Sequence, residues 1–497
     1  MVLKQLGFGR IAAVAICAMS AGNVLADSHC RIRLWRGETH SVVLPDASHE
    51  VSGTAPGLTL QLGTLLPVRY LEDNTAYEYR TVADRAVYGS KASGLHFATV
   101  TAAPDAKPGT YSFGHLVVTV LERVLPPPSE WKYYLDLWQH PWAVARINGL
   151  KPFSPEHYRA MEPLWRMLAA AGQKTLTVTI VDRPWNRHCY DAYGSMIGRR
   201  KVKVQGKGEE WRFDYSLFDE YVTFGRACGI GPHISCYSVC PMSGHVDYPD
   251  ADGKSSWIPL KPATPAFEEY WRDFLVDFER HLKEKGWLGD TYISMDESDL
   301  DELKAVVAFV RRHAPGLKVA MAGNRAPSHY KGLEFDSYSQ ILNGAVNEAW
   351  KPEVARRKRE GKVTTCYVCC GPGRPNTFMS SAPGEAFVCG FFPAAYGLDG
   401  FLRWAYNSWG EDPLNDMTYN RWRSGDVALV YPDGSPSWRF LELKNGIQQA
   451  EKFRILKEAG VRADELEKVA AKFVAKELVE GADCRALRQS VMNAVNR

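Results

Sequence analysis

The chain has 497 residues and a formal net charge of +3, with 15 Trp, 23 Tyr and 11 Cys. That length exceeds one ordinary domain, and so small a charge excludes the basic surface that attracts nucleic acid or an anionic membrane. The cysteines are too few for a disulfide framework, and no run after the N-terminus reaches the ~20 apolar residues of a spanning helix.

The first residues read as an export signal. Lys4 and Arg10 give a basic front, Ile11 to Ala21 an apolar core, and Val24-Leu-Ala a small-residue cleavage site, so residues 1–26 are expected to leave an exported, periplasmic or secreted protein. Cys30 lacks the small residue that a lipid-attachment signal places before its cysteine. From 27 to 125, short alternating stretches are separated by turn residues: Leu58-Thr-Leu-Gln-Leu, His96-Phe-Ala-Thr-Val-Thr and Leu116-Val-Val-Thr-Val-Leu. No helical period interrupts them, which predicts a small β-sandwich. Leu125-Pro-Pro-Pro-Ser-Glu then forms a stiff extended linker.

After Trp131 the pattern becomes strand, loop, helix, repeated. Strands are expected at 133–138, 175–181, 232–237, 291–295, 318–322, 335–340, 363–370 and 400–405, with amphipathic helices such as 155–171 and 265–285 between them. This predicts a (β/α)8 barrel over 126–458. The competing architecture, a doubly wound open sheet, wants a Gly-rich phosphate loop after an early strand, and the sequence has none. Helices at 439–459 and 464–476 close the chain, the latter in a helical tail over 459–497.

In such a barrel, residues that end strands meet at one rim. Here they are polar or aromatic: Asp136, Trp138 and His140 from the first strand, Asp182, Arg183 and Trp185 from the second, and His233, Tyr237 and Ser238 from the third. The fifth supplies Asn324 and Arg325, the sixth Tyr338 and Gln340, the seventh Tyr367, and the eighth Arg403, Trp404, Asn407 and Trp409. Singly, each has an ordinary reading: a core tryptophan, a satisfied internal histidine, or an Asp182–Arg183 surface pair worth little. Together they suit a carbohydrate site, where flat sugar faces lie on aromatic rings.

The fourth strand, Thr291-Tyr-Ile-Ser-Met, ends in Asp296-Glu297. Two acids closing a buried strand are costly without a task, and neighbouring carboxyls whose pKa values are pushed apart can act as one proton donor and one ionised stabiliser. The other reading is a solvated acidic loop, since Ser298, Asp299, Asp301 and Glu302 continue the run and can cap the next helix. Cys366, Cys369 and Cys370 cluster in an apolar run; one C-x-x-C without a partner pair is a weak zinc signal, set against buried thiols or a disulfide.

Several long segments in order resemble the catalytic domain of glycoside hydrolase family 123 and its uncharacterised relatives: Asp136-Leu-Trp-Gln-His-Pro, Lys151-Pro-Phe-Ser-Pro-Glu-His, the strand ending Asp296-Glu297, Gly397-Leu-Asp-Gly-Phe-Leu-Arg-Trp-Ala-Tyr-Asn-Ser-Trp, Gly425-Asp-Val-Ala-Leu-Val-Tyr-Pro and Ser437-Trp-Arg-Phe-Leu-Glu-Leu-Lys-Asn-Gly-Ile-Gln. The resemblance spans about Trp131 to Ile455. It implies a β-sandwich followed by a (β/α)8 barrel, β-N-acetylgalactosaminidase activity on a glycan or glycoconjugate, no cofactor and no metal, and a catalytic pair at Asp296 and Glu297. The helical end of the chain departs from the further β-domain usual in that family, so fold transfers more safely than substrate.

Consecutive carboxylates fit poorly with layouts that hold two carboxyls ~5–5.5 or ~6.5–9.5 Å apart across the scissile bond. They fit substrate assistance by a 2-acetamido group, with Glu297 as acid and base, Asp296 receiving the amide N–H, Tyr338 or Tyr367 holding the acetamido oxygen, and Trp404 or Trp409 as an apolar wall. Two alternatives stay open: a glycosidase for sugars without an acetamido group, with Asp182 or Asp136 as nucleophile, and a non-catalytic glycan-binding protein. Oligomeric state is not legible.

Overall fold

The computed structural model describes residues 30–44, 51–72, 78–90, 92–325, 327–330, 332–343, 350–420 and 422–497; the expected export signal lies outside them. Two sheets come first. One pairs Cys30–Arg36 in parallel with Leu116–Val124, which is antiparallel to Gly109–Phe113. The other is antiparallel throughout, in the order Thr39–Val43, Leu95–Ala102, Leu58–Leu71, Tyr79–Tyr88. Alternate residues of these strands point inward, so Ile32, Leu34, Ala98, Val100, Val118 and Val120 join one buried apolar cluster.

The Pro-rich linker is docked to its surroundings. Trp131 Nε1 donates to Pro126 O (2.7 Å), and Leu125 N to Arg36 O (2.7 Å). Buried charges also join the N-terminal sheets to the rest: Arg439 grips Asp84 with two hydrogen bonds of 3.0 Å, and Lys452 meets Glu38 at 2.6 Å, both members fully buried. Breaking such a pair strands a charge in a dry interior, so the two halves unfold together more readily than they separate.

The centre is one parallel sheet of eight strands: β1 (Tyr134–Leu137), β2 (Thr175–Thr179), β3 (His233–Tyr237), β4 (Thr291–Met295), β5 (Lys318–Gly323), β6 (Ser337–Ile341), β7 (Val363–Tyr367) and β8 (Gly400–Arg403). Hydrogen-bonded neighbours run β1-β8-β7-β6-β5-β4-β3-β2, so β2 to β8 lie beside their sequence neighbours and β8 closes onto β1. The expected (β/α)8 barrel is therefore the observed fold. At the remaining seam, β1 against β2, side chains stand in for the ladder. Gln173 accepts from Leu137 N and donates to Thr175 O, and Gln139 accepts from Thr177 N while donating across to Thr175 O. Both glutamines are buried, so the seam's backbone groups find partners without a continuous strand pairing.

Helices α1 (Pro141–Ile147) and α2 (Pro155–Ala169) follow β1, and α3 (Ser216–Ala227), α4 (Pro265–Lys285) and α5 (Leu300–His313) follow β2, β3 and β4. After β5 the described residues contain only the 3-10 turn Pro327–Tyr330; α6 (Lys351–Arg359), α7 (Glu385–Tyr396) and α8 (Trp438–Glu458) follow β6, β7 and β8. Starts obey local chemistry: Ser154, Thr264 and Ser437 each cap a helix by accepting a backbone N–H, and proline occupies the first turn of α2 and α4.

The tail differs from its expectation. The helix expected over 464–476 is divided into α9 (Ala463–Ala470) and α10 (Ala475–Glu480), because Phe473 turns inward onto Phe391. A further helix, α11 (Cys484–Val495), packs against α7 and α8. Two β-ribbons absent from the sequence reading, Gly198–Val204 with Gly208–Asp214 and His245–Pro249 with Ser255–Pro259, rise from the loops after β2 and β3.

Candidate active site

Every residue of β4 is buried, and the chain emerges at Asp296 and Glu297. A pocket opens there, enclosing about 580 Å³ with its mouth included, lined by both acids together with Trp138, Trp185, Trp404, Trp422, Tyr367 and Asp426 among others. Carboxylates set among aromatic rings in a concave site suit a sugar ring.

Glu297 is held at both carboxylate oxygens. Tyr367 Oη, at the end of β7, donates to Oε1 at 2.6 Å, and Asn324 Nδ2, just past β5, donates to Oε2 at 3.0 Å. Burial and then the charge of Glu297 push the Tyr367 phenol far up, so it stays a donor. A Cβ at Gly323 would stand 2.7 Å from Tyr338 Oη; glycine there lets the tyrosine pass under the segment that presents Asn324. Asp296 is half-buried, and Oδ1 accepts from Glu297 N at 3.0 Å. Burial, reinforced by the adjacent Glu297 charge, pushes its carboxyl up to about 7. The two acids thus resist carrying two charges at once, which is the condition for dividing donor and stabiliser roles.

The wall is aromatic. Trp138 stacks on Trp185 with ring centres 5.4 Å apart and lies 4.4 Å from Tyr237, while Trp404 meets Trp422 edge-on at 6.1 Å. The loop carrying Trp185 is fixed by left-handed backbone at Arg183 and Asn186, each at φ 49°. Such conformations are costly for residues other than glycine and persist where surrounding contacts impose them.

Several residues expected at the rim stand behind this wall. His140 Nε2 bonds Trp404 O at 2.9 Å, and Asn407 Oδ1 accepts from His140 N at 2.9 Å, so both brace the tryptophan. Burial pushes His140 down to about 4, keeping the imidazole neutral. Arg403, fully buried, ion-pairs with Asp426 at 2.9 Å, and Trp404 Nε1 donates to the same Asp426 oxygen at 3.1 Å. Asp182 accepts from Ser195 N (2.7 Å) and braces its own loop; Arg183 pairs with Asp247, not with Asp182.

Four expectations are corrected by the tertiary structure. His233 is the first residue of β3, at the opposite end of the barrel, where it packs between Tyr134 (5.2 Å) and Tyr292 (5.6 Å). Asp136 shares the interior file of Tyr134 and Trp138 but sits one layer below the pocket, and burial pushes it up to about 7. Tyr338 donates to Arg325 O and Gln340 Oε1 among Phe335, Tyr330 and Trp350, outside the pocket. Trp409 is fully buried, donating to Val430 O at 2.7 Å, and belongs to the core.

Other lining residues escaped the sequence reading, namely His188, Met242 and Trp422 from loops, and Asp426, while Cys369 and Cys370 after β7, read there only as a thiol cluster, also line the pocket. Asp426 was within reach, since it stands in the Gly425-Asp-Val segment that carries the resemblance; its burial beside Arg403 could not be read locally. Its second oxygen, Oδ2, is buried and has no protein partner at the pocket wall. Among the described residues no group of three or more His, Cys, Asp or Glu side chains is arranged to hold a metal ion, and no helix is long and apolar enough to cross a membrane.

The profile of the glycoside hydrolase 123 catalytic domain matches residues 138–456. A solved family 123 glycoside hydrolase from Clostridium perfringens, studied for glycolipid glycan hydrolysis, superposes with a TM-score of 0.78 at 23% identity, over 94% of this chain and 93% of that one. A Clostridium thermocellum endo-1,4-beta-D-xylanase 10B aligns with a TM-score of 0.35 at 10% identity, over 84% and 86% of the two chains. The GH20 beta-N-acetylhexosaminidase of Streptomyces coelicolor aligns with a TM-score of 0.30 at 12% identity, over 72% and 81%. No match to the sequence was found among curated proteins.

Proposed function

The chain belongs to glycoside hydrolase family 123, and from that membership we propose that it removes terminal β-linked 2-acetamido sugars, N-acetylgalactosamine foremost, by a substrate-assisted retaining mechanism. The observation that carries this reading is the supply of carboxylates. Asp296 and Glu297 are consecutive, and the other lining carboxylate, Asp426, is engaged by Arg403 and Trp404. Asp136 and Asp182, the nucleophiles that another glycosidase mechanism would recruit, do not line the pocket.

In the first step the acetamido oxygen of the substrate attacks its own anomeric carbon while the glycosidic bond breaks. Glu297 gives its proton to the departing oxygen, and Asp296 accepts the amide N–H and stabilises the positive oxazolinium. Water then attacks the anomeric carbon from the vacated side, Glu297 takes a proton from it, and the ring opens to a product of retained configuration. Tyr367 and Asn324 hold Glu297 from two sides, so proton transfer starts from a fixed carboxyl. Trp138, Trp185 and Trp404 supply faces for the sugar ring, and the free oxygen of Asp426 accepts a sugar hydroxyl.

A glycoconjugate substrate and an exported site of action complete the proposal; the latter rests on residues 1–26 alone. The test sets aryl β-glycosides of N-acetylgalactosamine, N-acetylglucosamine, galactose and glucose side by side, with a thiazoline analogue of the intermediate as inhibitor. Turnover of the acetamido substrates and inhibition by the thiazoline are expected. Turnover confined to galactose or glucose, unaffected by the thiazoline, overturns the mechanism.

A further inference from the structure

The pocket wall carries two consecutive thiols that the chemistry above leaves unused. Cys369 and Cys370 both line the cavity that holds Asp296 and Glu297, and their Sγ atoms stand 3.8 Å apart. Cys370 is exposed and Cys369 partly so, whereas Cys366, the other cysteine of this segment, is buried within β7. All ten described cysteines are free thiols.

The turn that brings these sulfurs together is held by its surroundings. Asn376, fully buried, donates from Nδ2 to Cys369 O at 3.0 Å and to Pro372 O at 2.7 Å. Arg403 Nη1 donates to Val368 O and to Asn376 Oδ1, each at 3.2 Å. Two residues before Cys369, Tyr367 is anchored on Glu297. The turn is therefore already ordered in the folded chain; because a bridge between consecutive residues closes an eight-membered ring, its formation takes side-chain rotation together with adjustment of the Cys369–Cys370 peptide, and the bridge is strained.

We propose that Cys369 and Cys370 are a redox modification site, closing reversibly into a vicinal disulfide in the wall of the sugar pocket by exchange with an external disulfide. Cys370, as thiolate, attacks one sulfur of the external disulfide; a mixed disulfide forms and one thiolate leaves. Cys369 then gives up its proton to solvent and attacks Cys370 Sγ, forming the Cys369–Cys370 bond and expelling the second thiolate. Two protein thiols are oxidised, one external disulfide is reduced to two thiols, and the sulfurs close to about 2.0 Å. The hydrogen bond from Cys369 lowers the pKa of the Cys370 thiol, which suits Cys370 for the first attack. Exposed and conformationally constrained bridges are among the easily reduced ones, so the site is reversible.

Closure replaces two rotatable thiols by a rigid apolar ledge beside Glu297. A ligand resting on that ledge no longer has to immobilise those side chains, so KM is lower in the oxidised form by about twofold to tenfold, with kcat little changed. This kinetic arm rests on the glycosidase reading; the thiol chemistry does not.

The experiment uses the full chain, fully reduced with a phosphine and then treated or not with oxidised glutathione. Free thiols are blocked with N-ethylmaleimide, and intact mass and tandem fragmentation are recorded. The expected result is loss of two hydrogens, both cysteines protected from the maleimide, no glutathione retained, and full reversal by the phosphine. The single variants Cys369→Ser and Cys370→Ser should keep glutathione as a mixed disulfide on the remaining thiol. Glutathione retained on wild-type Cys370, a bridge from Cys369 to Cys366, or unhindered alkylation of both cysteines overturns the proposal. In the kinetic arm, the shift in KM between oxidised and reduced wild type should vanish in the double serine variant, and an identical KM in both wild-type forms removes the ledge from the pocket's function. Should no acetamido sugar be hydrolysed at all, the mass measurement still decides the disulfide by itself.

Discussion

Replacing Asp296 by asparagine should raise stability while removing activity, and the two effects should separate with pH. The unfolded chain ionises this carboxyl near its ordinary value of 3.8, whereas in the fold burial and Glu297 hold it at about 7. Between those values the native state binds more protons than the unfolded one, so the contribution of Asp296 to stability falls as pH rises across that window and stays low above it. At full value the difference is about 4 kcal/mol, and water in the pocket mouth screens it to about 2 kcal/mol. Asp296→Asn keeps the hydrogen bond from Glu297 N, because its amide oxygen can still accept, and carries no charge to bury. The variant should therefore exceed wild type by about 2 kcal/mol above pH 7, roughly 2 °C in Tm, with the gap closing towards pH 4. Thermal unfolding followed by near-UV circular dichroism from pH 4 to 8 measures it. The same variant should lose about 10²-fold or more in kcat, because the charge that Asp296 meets develops only near the transition state. A pH-independent gap, or a variant less stable than wild type at pH 8, would refute the account of a buried, charge-crowded carboxyl.

Glu297→Gln should cut turnover by about 10²-fold or more on a natural disaccharide, and by less on aryl substrates whose leaving groups need little protonation; equal activity on the disaccharide would remove Glu297 from the acid role. Tyr367→Phe deletes a charge-assisted hydrogen bond worth about 1.5–3 kcal/mol, so kcat/KM should drop by about 10- to 10²-fold. Tyr338→Phe, which removes a hydroxyl bonded to Arg325 O and Gln340 and not to either acid, should cost less than Tyr367→Phe in the same assay, and comparable losses in both variants would undo the assignment of Tyr367. In the wild type, the acid pair shares one proton until pH approaches about 7, so kcat/KM should fall as pH rises through that value and the proton Glu297 must donate is lost; a kcat/KM that keeps rising to pH 8 would refute the shared proton. Arg403→Met leaves Asp426 buried without its cation and should cost about 3–5 kcal/mol, measured as a lowered denaturation midpoint.

The alternation of strand and helix was legible because it is local: period-2 and period-3.6 patterns with their caps mark each element without knowledge of its neighbours. All eight barrel strands overlap their expected positions, and α4 matches residue for residue. The acidic pair was legible for the same reason, since two carboxylates closing the buried Thr291–Met295 run conflict with burial wherever the strand lies. Which end of a strand a residue occupies is also a matter of local sequence, yet five residues at about 3.3 Å each separate the two barrel faces, and His233 falls on the wrong one. What tertiary structure alone decided is pairing across long sequence separations. Tyr338 and Tyr367 are equivalent as sequence, but only Tyr367 reaches Glu297, 70 residues away. Trp404 and Trp409 belong to one motif, but only Trp404 meets Asp426 and the pocket. Gln139 and Gln173 read as unremarkable polar residues until the last barrel seam needs hydrogen-bond partners that no strand provides. A side chain's periodicity is written in its neighbours along the chain, whereas its partner is set by the closure of the barrel, which brings strand ends from eight distant segments to one rim.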